Sequence, residues 1–144
     1  MQDRFKFRAW DKEQNKYLPL VSRGNDLDFW ISLDNTGVYL VERDNNRDVA
    51  YFNNITEDVI VQFCTGLKDK NGKLIFEGDV LKIVDELVPL HQSVQKIYWS
   101  EKKAGFCFRQ IMCESSDPFI EEFSLQNMTD KVEVIGNIYE TPNY

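Results

Sequence analysis

The chain holds one histidine, three cysteines, four prolines and seven glycines in 144 residues, and each scarcity closes off a class of function. Any acid–base or nucleophilic scheme built on imidazole has to pass through His91, which follows Val88-Pro89-Leu90 in a predicted loop and reads as a loop histidine with no role. Three cysteines, an odd number in a chain long enough to bury a substantial core, do not form a disulfide framework. Cys64, Cys107 and Cys113 therefore read as free thiols; Cys107 and Cys113 lack CxxC spacing and a second histidine, so a four-ligand zinc site is not expected. Gly66, Gly72 and Gly78 recur every six positions, but they fall in turns between strands with no following helix to hold a phosphate. The sequence calls for no metal and no cofactor. No apolar run approaches the ~20 residues that cross a bilayer, and Met1 to Lys6 lack the apolar core of a signal peptide.

What is present is apolar and aromatic content of 42% and 13%, enough for a chain of this length to bury roughly two thirds of its unfolded surface in one core. One domain is expected over residues 1–144; a boundary near 58 to 62 is permitted by composition but unmarked by any linker. The net charge of -7 is unevenly spread. Residues 1–23 carry six basic and three acidic side chains, net +3, whereas residues 26–58 carry two basic and eight acidic, net -6. The sum disfavours nucleic acid, whose binding needs a field that attracts the polyanion; only a local basic face would reverse that.

Strands are predicted nearly throughout. Phe5, Phe7 and Ala9 alternate with Arg4, Lys6, Arg8 and Trp10, giving an apolar face and a basic, outward face that ends in an aromatic. Tyr17-Leu18 reads as its return strand. Phe29 to Leu33 and Val38 to Val41 flank Asp34-Asn35-Thr36-Gly37, a second hairpin with exposed-looking Trp30 and Tyr39. Val94 to Trp99 and Gly105 to Cys113 form a third, around Lys102-Lys103-Ala104-Gly105. A short helix is expected over 117 to 123, where Asp and Pro suit a first turn and Phe119, Ile120 and Phe123 share a face. Lys131 to Tyr139 closes the fold as a last strand, with Val132, Val134 and Ile138 inward and Gly136-Asn137 as a bulge or bend. The expected fold is mainly β: a small barrel or sandwich of antiparallel strands with an N-terminal hairpin elaboration and that one helix.

The most informative run is Thr65 to Ile83. Asn71-Gly72 suits the two positive-φ positions of a tight hairpin, Gly66 marks a turn, and Gly78-Asp79 permits a sharp bend between strands. This run, together with Phe5 to Lys12 and Val132 to Glu140, resembles the signature of the YopX-like proteins of phages and prophages; the three segments bracket nearly the whole chain in the family's order, and the stretch between them from about Leu18 to Ile60 carries no nameable match. The resemblance implies a phage-encoded accessory protein with a mainly β fold and without an assigned biochemical role; with neither a signal-peptide core nor a bilayer-crossing run in the sequence, the host cytosol is the expected compartment.

Two constellations invite a functional reading. Arg4, Lys6, Arg8 and Trp10 on one strand face, beside Lys68, Lys70, Lys73 and Lys82, would make a basic patch with an aromatic if the two segments were neighbours, as small β-barrels use on single-stranded nucleic acid. The plainer reading is a solvated lysine turn and an outward strand face that packs on the acidic segment 26–58 of the same or another subunit. That acidic segment, with Trp30 and Tyr39, is the second: a protein-binding surface, after it a mimic of nucleic-acid charge, or an ordinary hairpin covering the barrel. Adjacent acids such as Asp26 with Asp28 or Glu121 with Glu122 lack the spacing of a ligand loop or hydrolase pair and read as solvated surface. Arg8, Trp10, Asp11, Lys68 and Asp69 are the expected binding surface, although Asp11 and Asp69 also suit the capping of turn amides. The function expected first is a non-catalytic module that binds a host or phage protein or assembles with itself; single-stranded nucleic acid comes second and catalysis a distant third.

Overall fold

A computed structural model describes residues 6–86, 94–111, 123–124 and 128–140, with the backbone alone for Leu27, Gln110, Phe123 and Ser124. The protein is mainly β, its strands arranged in antiparallel sheets, one of them curled into a half-barrel. Among the described residues thirteen strands run in order: β1 (Phe7–Asp11), β2 (Lys16–Tyr17), β3 (Val21–Arg23), β4 (Leu27–Asp34), β5 (Gly37–Asp44), β6 (Val49–Asn54), β7 (Val59–Lys68), β8 (Leu74–Phe76), β9 (Asp79–Ile83), β10 (Val94–Ser100), β11 (Gly105–Gln110), β12 (Phe123–Ser124) and β13 (Val132–Asn137). They form sheets of order β2-β1-β7-β8, β3-β4-β5-β6 and β12-β11-β10-β9-β13. The chain divides into two compact units, one of Met1–Phe7 with Phe63–Tyr144 and one of Arg8–Gln62.

In the Arg8–Gln62 unit, β4 and β5 are joined by a two-residue loop, since Asp34 pairs with Gly37. Asp34 Oδ1 accepts from the Thr36 amide and hydroxyl and from the Gly37 amide. Gly37 has φ +154°, and a Cβ there would lie 2.3 Å from Thr56 Oγ1, so the glycine is required twice over: by conformation and by space. Strands β3 and β6, which flank this hairpin, were not foreseen. Trp30 and Tyr39, expected to be exposed, are half-buried. Trp10, expected on the outward face of β1, is buried at 4% exposure. Alternation describes a strand with one covered face, whereas Ala9 and Trp10, on opposite faces of β1, are both buried; the Tyr17 ring of β2 packs against Trp10.

The core of the other unit is Ile75, Leu81, Ile83, Ile97, Phe108 and Val132, with Leu67, Phe106, Met128 and Val134 packed against it; each such burial stabilises by roughly 1.5–3 kcal/mol. The link between β7 and β8 departs from the tight Asn71-Gly72 hairpin. Gly72 has φ +82° but Asn71 is not left-handed, and the Gly72 amide donates to Asp69 O at 2.9 Å. The turn thus opens on Asp69 and ends on glycine, the arrangement in which Asp at the first position and Gly at the fourth are favoured. Gly66 has φ +81° inside β7, where the register with β8 shifts between Cys64 and Lys68; it makes a bulge, not a turn. Gly78, at φ +80°, carries the chain from β8 into β9 as expected. Ser100 pairs with Gly105 to close the third hairpin, but the left-handed residue is Ala104 at φ +46°. β13 shifts register between Val134 and Gly136, the expected bulge, and Ile138 is exposed, not inward, because it lies beyond the paired strand. The helix expected over 117 to 123 lies outside the described residues except for Phe123, which pairs as a strand with Phe108; among the described residues the helical element is a 3-10 turn at Thr129–Lys131.

Candidate interaction surfaces

The expected binding residues fall in both units and are described unit by unit. In the Arg8–Gln62 unit, the pairing of Trp10 with Tyr17 sets their rings edge to face, 4.9 Å apart at 76°. The Arg8 guanidinium lies 4.5 Å over the Tyr17 ring, and its Nε donates to Gln62 Oε1 at 2.8 Å, which also accepts from the Tyr17 hydroxyl at 3.3 Å. Gln62 is buried inside the apolar run 59–64; a lone amide in such a run was the one sequence signal of this cluster. Arg8 is held against Tyr17 and Gln62, and Trp10 has no face open to a stacking base. Asp11 Oδ1 accepts from the Glu13 and Gln14 amides, closing the turn to β2. Lys12 Nζ donates to Glu57 O at 2.7 Å.

In the other unit, Lys6, Lys68, Lys70, Lys73 and Lys82 are exposed, and Lys70 Nζ lies 3.3 Å from Glu133 Oε2. Asp69 is not at the surface but buried at 6% exposure. Its Oδ1 accepts from the amides of Asn71 and Lys73, both at 2.9 Å, and its Oδ2 from the Val134 amide at 3.0 Å. Burial by itself raises the Asp69 pKa; the amides of Val134, Lys73 and Asn71, with the Lys73 charge, outweigh it and hold the carboxyl below its ordinary value. With the Lys70 amide donating to Val132 O at 3.0 Å, this turn covers the open edge of β13. Asp79 works in the same way: its Oδ2 accepts from the Phe76 amide at 2.9 Å, and its Oδ1 lies 3.5 Å from Asn137 Nδ2. The two aspartates of the signature run are therefore structural acceptors.

Cys64 and Cys107 are free and buried; Cys113, His91 and Arg4 lie outside the described residues. Among the described residues no three His, Cys, Asp or Glu side chains gather closely enough to hold a metal ion, and no helix is long and apolar enough to cross a membrane.

Two features of the β3-β4-β5-β6 sheet had no counterpart in the sequence reading. A groove of about 540 Å³ over β3 and β4 is lined by Arg23, Asp28, Trp30 and Arg43 among others. Asp28 is the register partner of both arginines, its Oδ1 accepts from the Gly24 amide, and Arg43 Nη2 lies 2.6 Å from Asp48 Oδ1. The second is β6. All six of its residues are exposed, with Tyr51 and Phe52 at 49% and 66%, and it is an edge strand. The segment Val49-Ala50-Tyr51-Phe52-Asn53-Asn54 carries no charge, proline or glycine, the devices that ordinarily blunt an edge. No backbone hydrogen bond reaches its outer side among the described residues.

The family model described as YopX protein matches residues 6–144. No curated protein matches the chain. A solved structure similar to it is the crystal structure of protein EF1440 from Enterococcus faecalis, 25% identical, covering 96% of this chain and 95% of that one at a TM-score of 0.54. A match across 6–144, reaching all three segments that carried the resemblance and including the stretch 18–60 that the sequence left unassigned, settles the affiliation: the chain belongs to the YopX family.

Proposed function

We propose that this protein is a phage-encoded accessory module, non-catalytic and acting in the host cytosol, that binds protein by strand addition at β6. The observation that supports this reading is the state of that edge: a six-residue strand, exposed on both faces and along its free side, in a protein whose β13 edge is covered by the Asp69 turn. An extended segment laid along β6 gains main-chain hydrogen bonds for affinity and alternate side-chain positions for selectivity. Single-stranded nucleic acid draws less support, because Trp10 is buried and Arg8 is held by Tyr17 and Gln62.

The test is a displayed library of unstructured decapeptides selected on the wild-type protein and screened against Ala50→Pro and Phe52→Lys. Ala50 turns its amide away from β5, so proline removes a donor from the free edge and none from the ladder. Peptides that bind the wild type and lose both variants are expected. A selection that yields no peptide sensitive to either change, from a wild type that is monomeric at the concentration used, removes the reading.

A further inference from the structure

Building on strand addition at β6, we propose that the occupant of this edge is β6 of a second copy, antiparallel about a two-fold axis perpendicular to the sheet, with Phe52 opposite Phe52. The register follows from the backbone. The Ile55 amide donates to Val38 O at 2.9 Å, and β5 and β6 pair without a shift from Tyr39↔Asn54 to Asp44↔Val49. Amides alternate in direction along an antiparallel strand. Residues 49, 51, 53 and 55 therefore face β5, and Ala50, Phe52 and Asn54 present their N–H and C=O groups to the outside.

A two-fold that continues the sheet keeps each face on its own side, so residues opposite one another share parity and some residue must face itself. Centring the axis on Phe52 pairs all three outward residues, Phe52 with Phe52 and Ala50 with Asn54 twice, for about six main-chain bonds. Centring it on Tyr51 pairs Ala50 with Phe52 twice, for about four; extending that register calls on Asp48, whose φ of +53° takes it out of the strand.

The side chains agree with the Phe52 register. Val21, Trp30, Val41 and Phe52 are cross-strand neighbours on one face, and pairing through Phe52 runs this apolar row into its own copy. Charge favours the same occupant. The protein carries -7, yet β6 is neutral and the adjacent Arg43 is already paired with Asp48. This is a stretch where two anionic copies meet without setting like charges opposite one another.

The self-opposition of residue 52 gives a test that no general stickiness imitates. Light scattering over a concentration series should give a dimer mass for the wild type. Phe52→Lys and Phe52→Glu, each checked for an unchanged circular dichroism spectrum, should each dimerise about tenfold more weakly, because each sets a like charge against itself and removes an aromatic pair. Mixing the two variants should restore the dimer, since Lys then faces Glu. A monomeric wild type overturns the proposal, and so does a dimer indifferent to these changes or a mixture that fails to recover while each variant alone is weakened. A monomeric wild type that still selects β6-dependent peptides would leave strand addition standing and remove the second copy; the absence of both would remove the two together.

Discussion

Replacing Asp69 by alanine removes a carboxylate that closes its own turn and ties that turn to β13. Three amides lose their acceptor: Asn71 and Lys73 at 2.9 Å and Val134 at 3.0 Å. Hydrogen bonds to a charged group contribute about 1.5–3 kcal/mol each where they are shielded, and less where water takes over. Asn71 and Lys73 are exposed and regain water, so about 0.5–1 kcal/mol apiece is lost there; the half-buried Val134 amide is left without a partner at about 1–2 kcal/mol. Asp69→Ala should therefore lower the unfolding free energy by about 2–4 kcal/mol in urea titrations at neutral pH. Asp69→Asn should fall between alanine and wild type, because an amide keeps one acceptor oxygen for the turn. The same carboxylate supplies a pH signature. Its folded pKa lies below the unfolded one, so the folded state binds its proton less readily; the stabilisation is present above about pH 4 and is lost as pH falls through the folded pKa. The wild type should thus lose stability on acidification more steeply than Asp69→Asn. Equal stability of wild type and Asp69→Ala at pH 7, or identical slopes below pH 4, would refute the assignment of Asp69 as the tie to β13.

The remaining predictions concern the glycines and Trp10. Gly37→Ala should destabilise by about 1–3 kcal/mol in a thermal melt, through its backbone strain and the collision with Thr56 Oγ1, whereas Gly136→Ala should be nearly neutral, its added carbon meeting only the flexible end of Glu140 at 3.3 Å. Gly72→Val should cost about 1–2 kcal/mol, from φ +82° alone, since nothing lies within 4 Å of the added carbon; a melt matching the wild type would mean the turn is not left-handed there. Trp10→Ala should destabilise by about 3–5 kcal/mol, as expected for a buried tryptophan. No oligonucleotide binding is expected in fluorescence anisotropy at physiological salt, and submicromolar binding that weakens with salt would restore the nucleic-acid reading.

Local chemistry was legible in the sequence wherever it acts within a few residues. Asp34-Asn35-Thr36-Gly37 and Lys102 to Gly105 announced their hairpins, Gly78 its bend, Gly136 its bulge, and β-branched and aromatic density the β class, because turn conformation and strand preference depend on a residue and its near neighbours. Contacts distant along the chain were not legible. Trp10 alternates with apolar residues as an outward side chain would, yet it is buried, with the Tyr17 ring of β2 packed edge to face against it. Asp69 reads as a turn former, and only the arrival of Val134, 65 residues later, makes it a buried acceptor. Val49 to Asn54 has no distinctive pattern; that it forms a strand at all, and an open edge, is decided by its pairing with β5 and by the lack of a neighbour on its other side among the described residues. Hydrogen-bonding direction along that edge depends on register, a tertiary quantity that the sequence of a six-residue segment does not specify.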